Sequence, residues 1–415
     1  MAPRSTVATG RYRFWILFVG FAGAGCDPGT VQLMAPVGAG RQGSALEVRV
    51  VGPDEAPAAG ATVHYFRRDR REETWHKTRT NEEGIARLEG LVPGAYYWVA
   101  AEQEDPRWGV LGGAEKAHAP SEAETSVELE VPLFTSRQGG VVISEMYMTS
   151  PDRWETGNVH YTGSHYFEVA NTSGETIFLD GMLLGRMFAW DRDVSIHGHN
   201  ACADTQAMRT DSLGIWSDVI WQFPGSGGEH PLHPGEVAVI AKIAADHTSI
   251  HPTMLDLSGA QFEFGLQGAA DNPAAANMIQ RGPFFLPAQH YDYSHSYWFL
   301  SAPADFAALP SACNPGSGQP CEEYRFIRRE LLHDVFMVLH DYSNDGVLGP
   351  LLPPCDHPVH PSFDRMPGGF PRHFTRLDHS VQRRSVTVDG RPALLNTGTS
   401  RIDLEWVPRT PGWLP

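Results

Sequence analysis

From Leu46 to Val51 the chain alternates, with Leu46, Val48 and Val50 apolar and Glu47 and Arg49 charged. That two-residue period predicts a strand with one buried and one wet face. Ala61–Phe66, Ile85–Leu88, Ala95–Ala101 and Ser126–Val131 are further short runs of the same kind. Thr80-Asn81-Glu82-Glu83-Gly84 and Val92-Pro93-Gly94 stand between them as turns. Even spacing of short strands predicts a small β-sandwich over 45–134. A second series opens at Gly139–Tyr147 and continues through Tyr166–Met182, Leu232–Ala241 and Leu255–Glu263. It predicts a second β unit that begins at Gly139. One helix is expected at Glu322–Leu332, where Tyr324, Ile327 and Leu331 share a side and charges fill the other.

Composition sharpens this picture. The 415 residues include 42 Gly and 32 Pro, which favours turn-rich β structure over a helical bundle. The net charge of −17 argues against a nucleic-acid partner, which needs a basic face to neutralise phosphates. Arg4, Arg11 and Arg13 precede an apolar run, Phe14–Ala22, too short to span a bilayer comfortably. Gly23-Ala24-Gly25-Cys26 follows and resembles the lipobox of bacterial lipoproteins, although Gly23 stands where an aliphatic residue is usual. The resemblance implies a signal peptide at 1–25, an acylated Cys26 and a Gly/Pro/Ala-rich tether at 26–44. An ordinary secretory signal cut near the same small residues is the alternative reading. Either way the chain is expected to be exported, and the lipid-anchored form is expected at the outer membrane or cell surface of a Gram-negative bacterium.

Two further resemblances rest on longer motifs. The order Gly60-Ala61-Thr62-Val63, Thr80-Asn81-Glu82-Glu83-Gly84 and Leu88-Glu89-Gly90-Leu91-Val92-Pro93-Gly94 resembles the carboxypeptidase-regulatory-like, prealbumin-type sandwich. It implies a spacer or binding module for 45–134. Ile143-Ser144-Glu145, then Phe167-Glu168-Val169-Ala170-Asn171-Thr172-Ser173 and Leu179-Asp180-Gly181, resembles the opening of the lamin-tail domain. The succession of Leu232–Ala241, Leu255–Glu263, Asp271–Met278 and the closing run from Arg383 to Glu405 resembles an uncharacterised family of large lamin-tail-like domains on Gram-negative surface lipoproteins, which implies one domain over 139–415 with long inserts at 185–218 and 302–323. The fold class expected is therefore mostly β, with two tandem immunoglobulin-like β-sandwich domains, the second enlarged by loops.

Candidate chemistry is sparse. Setting Cys26 aside, Cys202, Cys313, Cys321 and Cys355 make an even set. The turn-rich loop between Cys313 and Cys321 can bring its ends together, which pairs those two and leaves Cys202 with Cys355. Nineteen histidines include His230/His233, His247/His251, His357/His360 and His197/His199, none with an identifiable third ligand. Asp341, Ser343 and Asp345, with Gly346 in place, match the first half of a calcium loop. Leu352 replaces the closing Glu, so a self-stabilised Asp/Asn turn is favoured and no cofactor is expected. Trp216, Trp221, Tyr291 and Tyr293 could form a stacking platform for a glycan or other planar ligand, whereas Tyr297, Trp298 and Phe299 read as a core strand. Glu145 and Glu168 form the one carboxylate pair in adjacent strands, and structural hydrogen bonding is the favoured role. No nucleophile elbow, zinc-hydrolase helix or phosphate loop occurs in the sequence. The functional expectation is a non-catalytic, tethered binding or scaffold lipoprotein. Its expected partners are neutral glycans, cationic peptides or an envelope protein such as an outer-membrane transporter. The alternative is a metal-dependent hydrolase built from loop His and Asp residues.

Overall fold

The computed structural model describes residues 44–67, 76–121, 127–148, 161–187, 213–265, 271–282, 295–313, 323–340, 364, 368–370, 378–388 and 391–412. The chain opens with β1 (Ser44–Val51), β2 (Thr62–Arg67), β3 (His76–Arg79), β4 (Ile85–Leu91), β5 (Tyr96–Asp105), β6 (Gly109–His118) and β7 (Val127–Pro132). They form two sheets, β4-β1-β7 and β3-β2-β5-β6. In the first, β1 runs antiparallel to β4 and parallel to β7. The alternation of β1 is realised: Leu46, Val48 and Val50 are wholly buried and pack with Val63, Val99 and Leu111 of the facing sheet. Each such side chain removed from water contributes about 1.5–3 kcal/mol. Glu47 and Arg49 point the other way, beside Glu128 and Glu130 of β7.

The remainder adds β8 (Val141–Tyr147), β9 (Tyr166–Asn171), β10 (Ile177–Phe178), β11 (Leu183–Met187), β12 (Gly214–Gln222), β13 (Pro231–Leu232), β14 (Val237–Ala241), β15 (Phe262–Glu263) and β16 (Ala276–Asn277). After these come β17 (Ile279–Gln280), β18 (His295–Ser301), β19 (Ser311–Cys313), β20 (Glu323–Arg328), β21 (Leu332–His340) and β22 (Gly368–Phe370). The last elements are β23 (His379–Arg383), β24 (Ser385–Val388), β25 (Arg391–Leu394), the single-turn helix α1 (Ser400–Asp403) and β26 (Leu404–Pro408). Two large sheets result, β16-β15-β14-β9-β8-β23-β26 and β19-β20-β12-β11-β18-β21-β22, with β17 also beside β12. Between them lies a core of Ile143, Phe167, Val169, Ile240 and Val381 from one sheet and Leu184, Trp221, Trp298, Leu300 and Phe336 from the other. Their far faces are covered too. Phe299, Met337 and Ile215 of the second sheet pack against Ala304, Phe306 and Leu309, and every residue of β8 and β9 is buried.

The mostly β, sandwich-type architecture therefore stands, and β1 and β8 belong to different sheets. The helix at Glu322–Leu332 is a correction. Glu323–Arg328 is a strand paired with β19 and β12, and only Arg329–Leu331 forms a 3-10 turn. Tyr324, Phe326 and Ile327 fit a pleated surface, and two neighbouring ladders outweigh a local helical period. Trp216 and Trp221, offered above as part of a stacking platform, both stand in strand β12.

Candidate functional site

The carboxylate pair is where chemistry and burial meet. The register of β8 against β9 shifts between Ile143 and Glu145, so that Glu145 stands opposite Glu168. Ser144 is the extra residue of this bulge. Ile143 and Met146 still reach the core, while Ser144 and Glu145 turn to the far face with Glu168. All three are at most 3% exposed. Tyr166 and Ser380 donate to Glu145 Oε1, Ser380 Oγ at 2.6 Å, and the backbone N–H of Thr410 adds a longer bond at 3.2 Å. Ser144 Oγ donates to Glu168 Oε1 at 2.7 Å, and the N–H of Gly412 donates to Glu168 Oε2 at 2.7 Å.

The lid on this pair is thus the C-terminal segment itself. Gln382 Nε2 holds it through Pro408 O at 2.9 Å, and Arg409 donates to Tyr147 Oη at 2.8 Å while lying over that ring. Burial raises the pKa of both carboxyls, and for Glu168 burial with the neighbouring Glu145 carboxylate brings it to about 8, against the bonds from Ser144 and Gly412. Burial also lifts Tyr147 to about 12, with Arg409 opposing. At neutral pH Glu168 is therefore largely a carboxylic acid beside Glu145. Donors reach Glu145 Oε1 and both oxygens of Glu168, and two of them, the N–H groups of Thr410 and Gly412, belong to the C-terminal segment.

A second polar cluster locks the two large sheets together. Arg383, 1% exposed, donates from Nη2 to both oxygens of Asp334 at 2.6 and 2.7 Å, from Nε to Ile143 O and from Nη1 to Leu395 O. Asp334 also accepts the N–H of Ile143 at 2.8 Å. Asp403 lies 3.8 Å from the same guanidinium and accepts the N–H groups of Thr397, Gly398 and Thr399. Elsewhere Asp180 accepts the four consecutive N–H groups of Gly227 to His230, which hold its carboxyl at about 2 despite the opposing effect of burial. These are anchors for loops. The role of Arg383 was hidden in the sequence because Asp334 and Ile143, which it joins, are distant in the chain.

Trp221 is 3% exposed and packs on Phe264 and Trp298, so its ring belongs to the core and is not offered to a ligand. Trp298 and Phe299 are buried in β18, as a core strand requires. Trp216 is half-buried beside Phe326, with ring centroids 5.1 Å apart. Tyr291, Tyr293, Asp341, Ser343, Asp345, Cys26, Cys202, Cys321 and Cys355 lie outside the described residues. The backbone of Cys313 ends β19, opposite Glu323 of β20, so the two ends of the intervening loop are side by side. Among the described histidines, His230 packs on Phe262, His233 bonds Thr176, His247 bonds Tyr161 and His251 bonds Thr253. Each imidazole of these two pairs is thus directed to a different neighbour.

No protein-family profile and no curated protein matches the sequence. Among solved structures, the chain is similar to a DUF4876 family protein from Bacteroides thetaiotaomicron VPI-5482, with 16% identity and a TM-score of 0.51 over 90% of this chain and 98% of that one. A DUF3823 family protein from Parabacteroides merdae ATCC 43184 matches at 8% identity and a TM-score of 0.19, over 43% of this chain and 89% of that one. The likeness to the Bacteroides protein is one of fold, and it extends over nearly the whole of both chains.

Proposed function

We propose that this chain is a non-catalytic, envelope-tethered lipoprotein that serves as a scaffold or binding module at the cell surface. One observation carries this reading. Glu145 and Glu168 are buried, bonded by Tyr166, Ser380 and Ser144 of the strands around them, and each also accepts one backbone N–H of the C-terminal segment, from Thr410 and Gly412. A general acid or base must reach its substrate, whereas these two carboxyl groups are buried and bonded to the chain around them. The N-terminal arginines, apolar run and Cys26 support acylation and export. The net charge of −17 favours neutral glycans, cationic peptides or an envelope protein such as an outer-membrane transporter as partners. Trp216 at the partly exposed face of β12 is part of the proposed contact surface, with Tyr291 and Tyr293 proposed beside it from the sequence.

Chemical crosslinking of intact cells followed by affinity capture of this chain tests the reading. A discrete envelope protein or glycan crosslinked to the chain is expected. The purified chain should hold no stoichiometric zinc and hydrolyse no model ester, phosphate or peptide. Stoichiometric zinc with EDTA-sensitive hydrolysis would contradict the proposal.

A further inference from the structure

We propose that the first sandwich is a load-bearing link, in which β1 and β7 act as a shear clamp between the membrane tether and the second sandwich. The inference deepens the tethered reading above and rests on it for where the load enters. In the tethered protein, tension from the membrane arrives at the start of β1, at Ser44. Along the chain it leaves the sandwich at the end of β7, at Pro132, where the chain runs on into β8, and it also crosses the contact of Trp98, Ala100, Val110 and Ala114 with Leu395 and Ile402. These two strands are hydrogen-bonded neighbours and run parallel, with six register pairs from Leu46–Val127 to Val51–Pro132.

Parallel neighbours make that geometry mechanically special. Tension pulls β1 backwards along its own axis and β7 forwards along its axis. Every ladder bond between them is then loaded at the same time. A hairpin pulled open from its free end loses its bonds one after another. The antiparallel pairing of β4 on the other edge of β1, Leu46 with Leu88 through Arg49 with Ile85, resists the same sliding. The inward residues Leu46, Val48 and Val50 are fully buried, so sliding β1 would also drag apolar side chains out of the core.

The exit side is secured in the way a load path needs. Leu133 N–H bonds Val51 O at 2.8 Å, and Phe134 and Gly112 exchange backbone bonds at 2.9 and 3.1 Å. Pro132 O approaches Gly113 so closely that a Cβ there would lie 2.0 Å from it. Beyond this point Arg137 N–H bonds Asn396 O at 2.7 Å, and Ser136 Oγ accepts the N–H of Asn396 at 2.8 Å. Arg384 adds an ion pair to Glu102 of β5 at 2.7 Å. The exit strand is therefore fastened to the second sheet of its own sandwich and then to the next sandwich.

Single-molecule pulling on the purified full chain carrying Cys26→Ser tests this without any lipid. One handle sits on the segment before Ser44. The other is attached at residue 137, which loads β1 and β7 in shear, or at exposed Val92, just beyond Leu91, which faces Ser44 across the β1–β4 ladder. The second arrangement peels β1 from its end. Forced unfolding is governed by the unfolding barrier along the pulled direction. The force at residue 137 should be several-fold that at residue 92 at one loading rate. Equal forces, or a lower force at residue 137, would overturn the clamp. Because the lipid is absent, failure of the tether reading leaves this ratio intact. Loss of the ratio, in turn, would sink the clamp and leave the tether standing.

Discussion

Asp334 of β21 and Arg383 of β23 pair between the two large sheets, 3% and 1% exposed. Removing one partner from such a pair strands the other charge in a medium that cannot solvate it, at a cost of about 3–5 kcal/mol. Asp334→Ala should lower stability by that amount in urea denaturation, and adding Arg383→Met should recover part of the loss. A double variant less stable than the single would count against this account. Glu168 gives a pH signature of known sign. Its folded pKa of about 8 lies above its ordinary 4.5, so the stability it contributes is fully present below the ordinary value. That stability is lost as pH rises through the folded value, so the melting temperature should fall between about pH 5 and pH 9. Glu168→Gln should flatten that slope, whatever it costs in absolute stability. The sequence singled out Glu145 and Glu168 because both stand in recognisable strand motifs. It could not show the bulge at Ser144 that brings them opposite each other, since a serine in a strand has no distinctive pattern. Nor could it foresee that Thr410 and Gly412 would close over them from the other end of the chain.

Strands legible in the sequence were those with a clear apolar alternation or an apolar run, such as β1, β8, β9, β14 and β18. Strand β6 was missed because Gly109, Gly112 and Gly113 read as turn residues. The structure supplies their reason. A Cβ at Gly112 would meet Thr397 Oγ1 at 2.8 Å, and one at Gly113 would strike the carbonyl of Pro132. The glycines let β7 and the second sandwich approach the β6 backbone. Gly113→Ala should therefore destabilise by about 3 kcal/mol or more. Gly174→Ala has nothing within 4 Å of the new methyl and should stay within about 0.5 kcal/mol. Calorimetry or urea midpoints of the two variants would read this contrast, and equal losses would refute the packing argument. The helix expected at Glu322–Leu332 failed for the opposite reason. Tyr324 and Ile327 are both buried, but three residues apart in a strand they face opposite ways, and the partners that pull the segment into a sheet lie in β12 and β19.

The two sandwiches share a buried seam of Trp98, Ala100, Val110 and Ala114 with Leu395 and Ile402. Apolar burial of this kind couples unfolding, so backbone circular dichroism and tryptophan fluorescence should report one urea midpoint. Two separated midpoints would show that the seam does not couple them. The proposed function depends most on acylation of Cys26, the start of the proposed tether. Its direct measurement is palmitate labelling with membrane fractionation of the wild-type chain beside Cys26→Ser, in cells that process lipoproteins. The account predicts label and membrane retention in the wild type, with both lost in the variant. An unlabelled wild type, retained no better than Cys26→Ser, would contradict it.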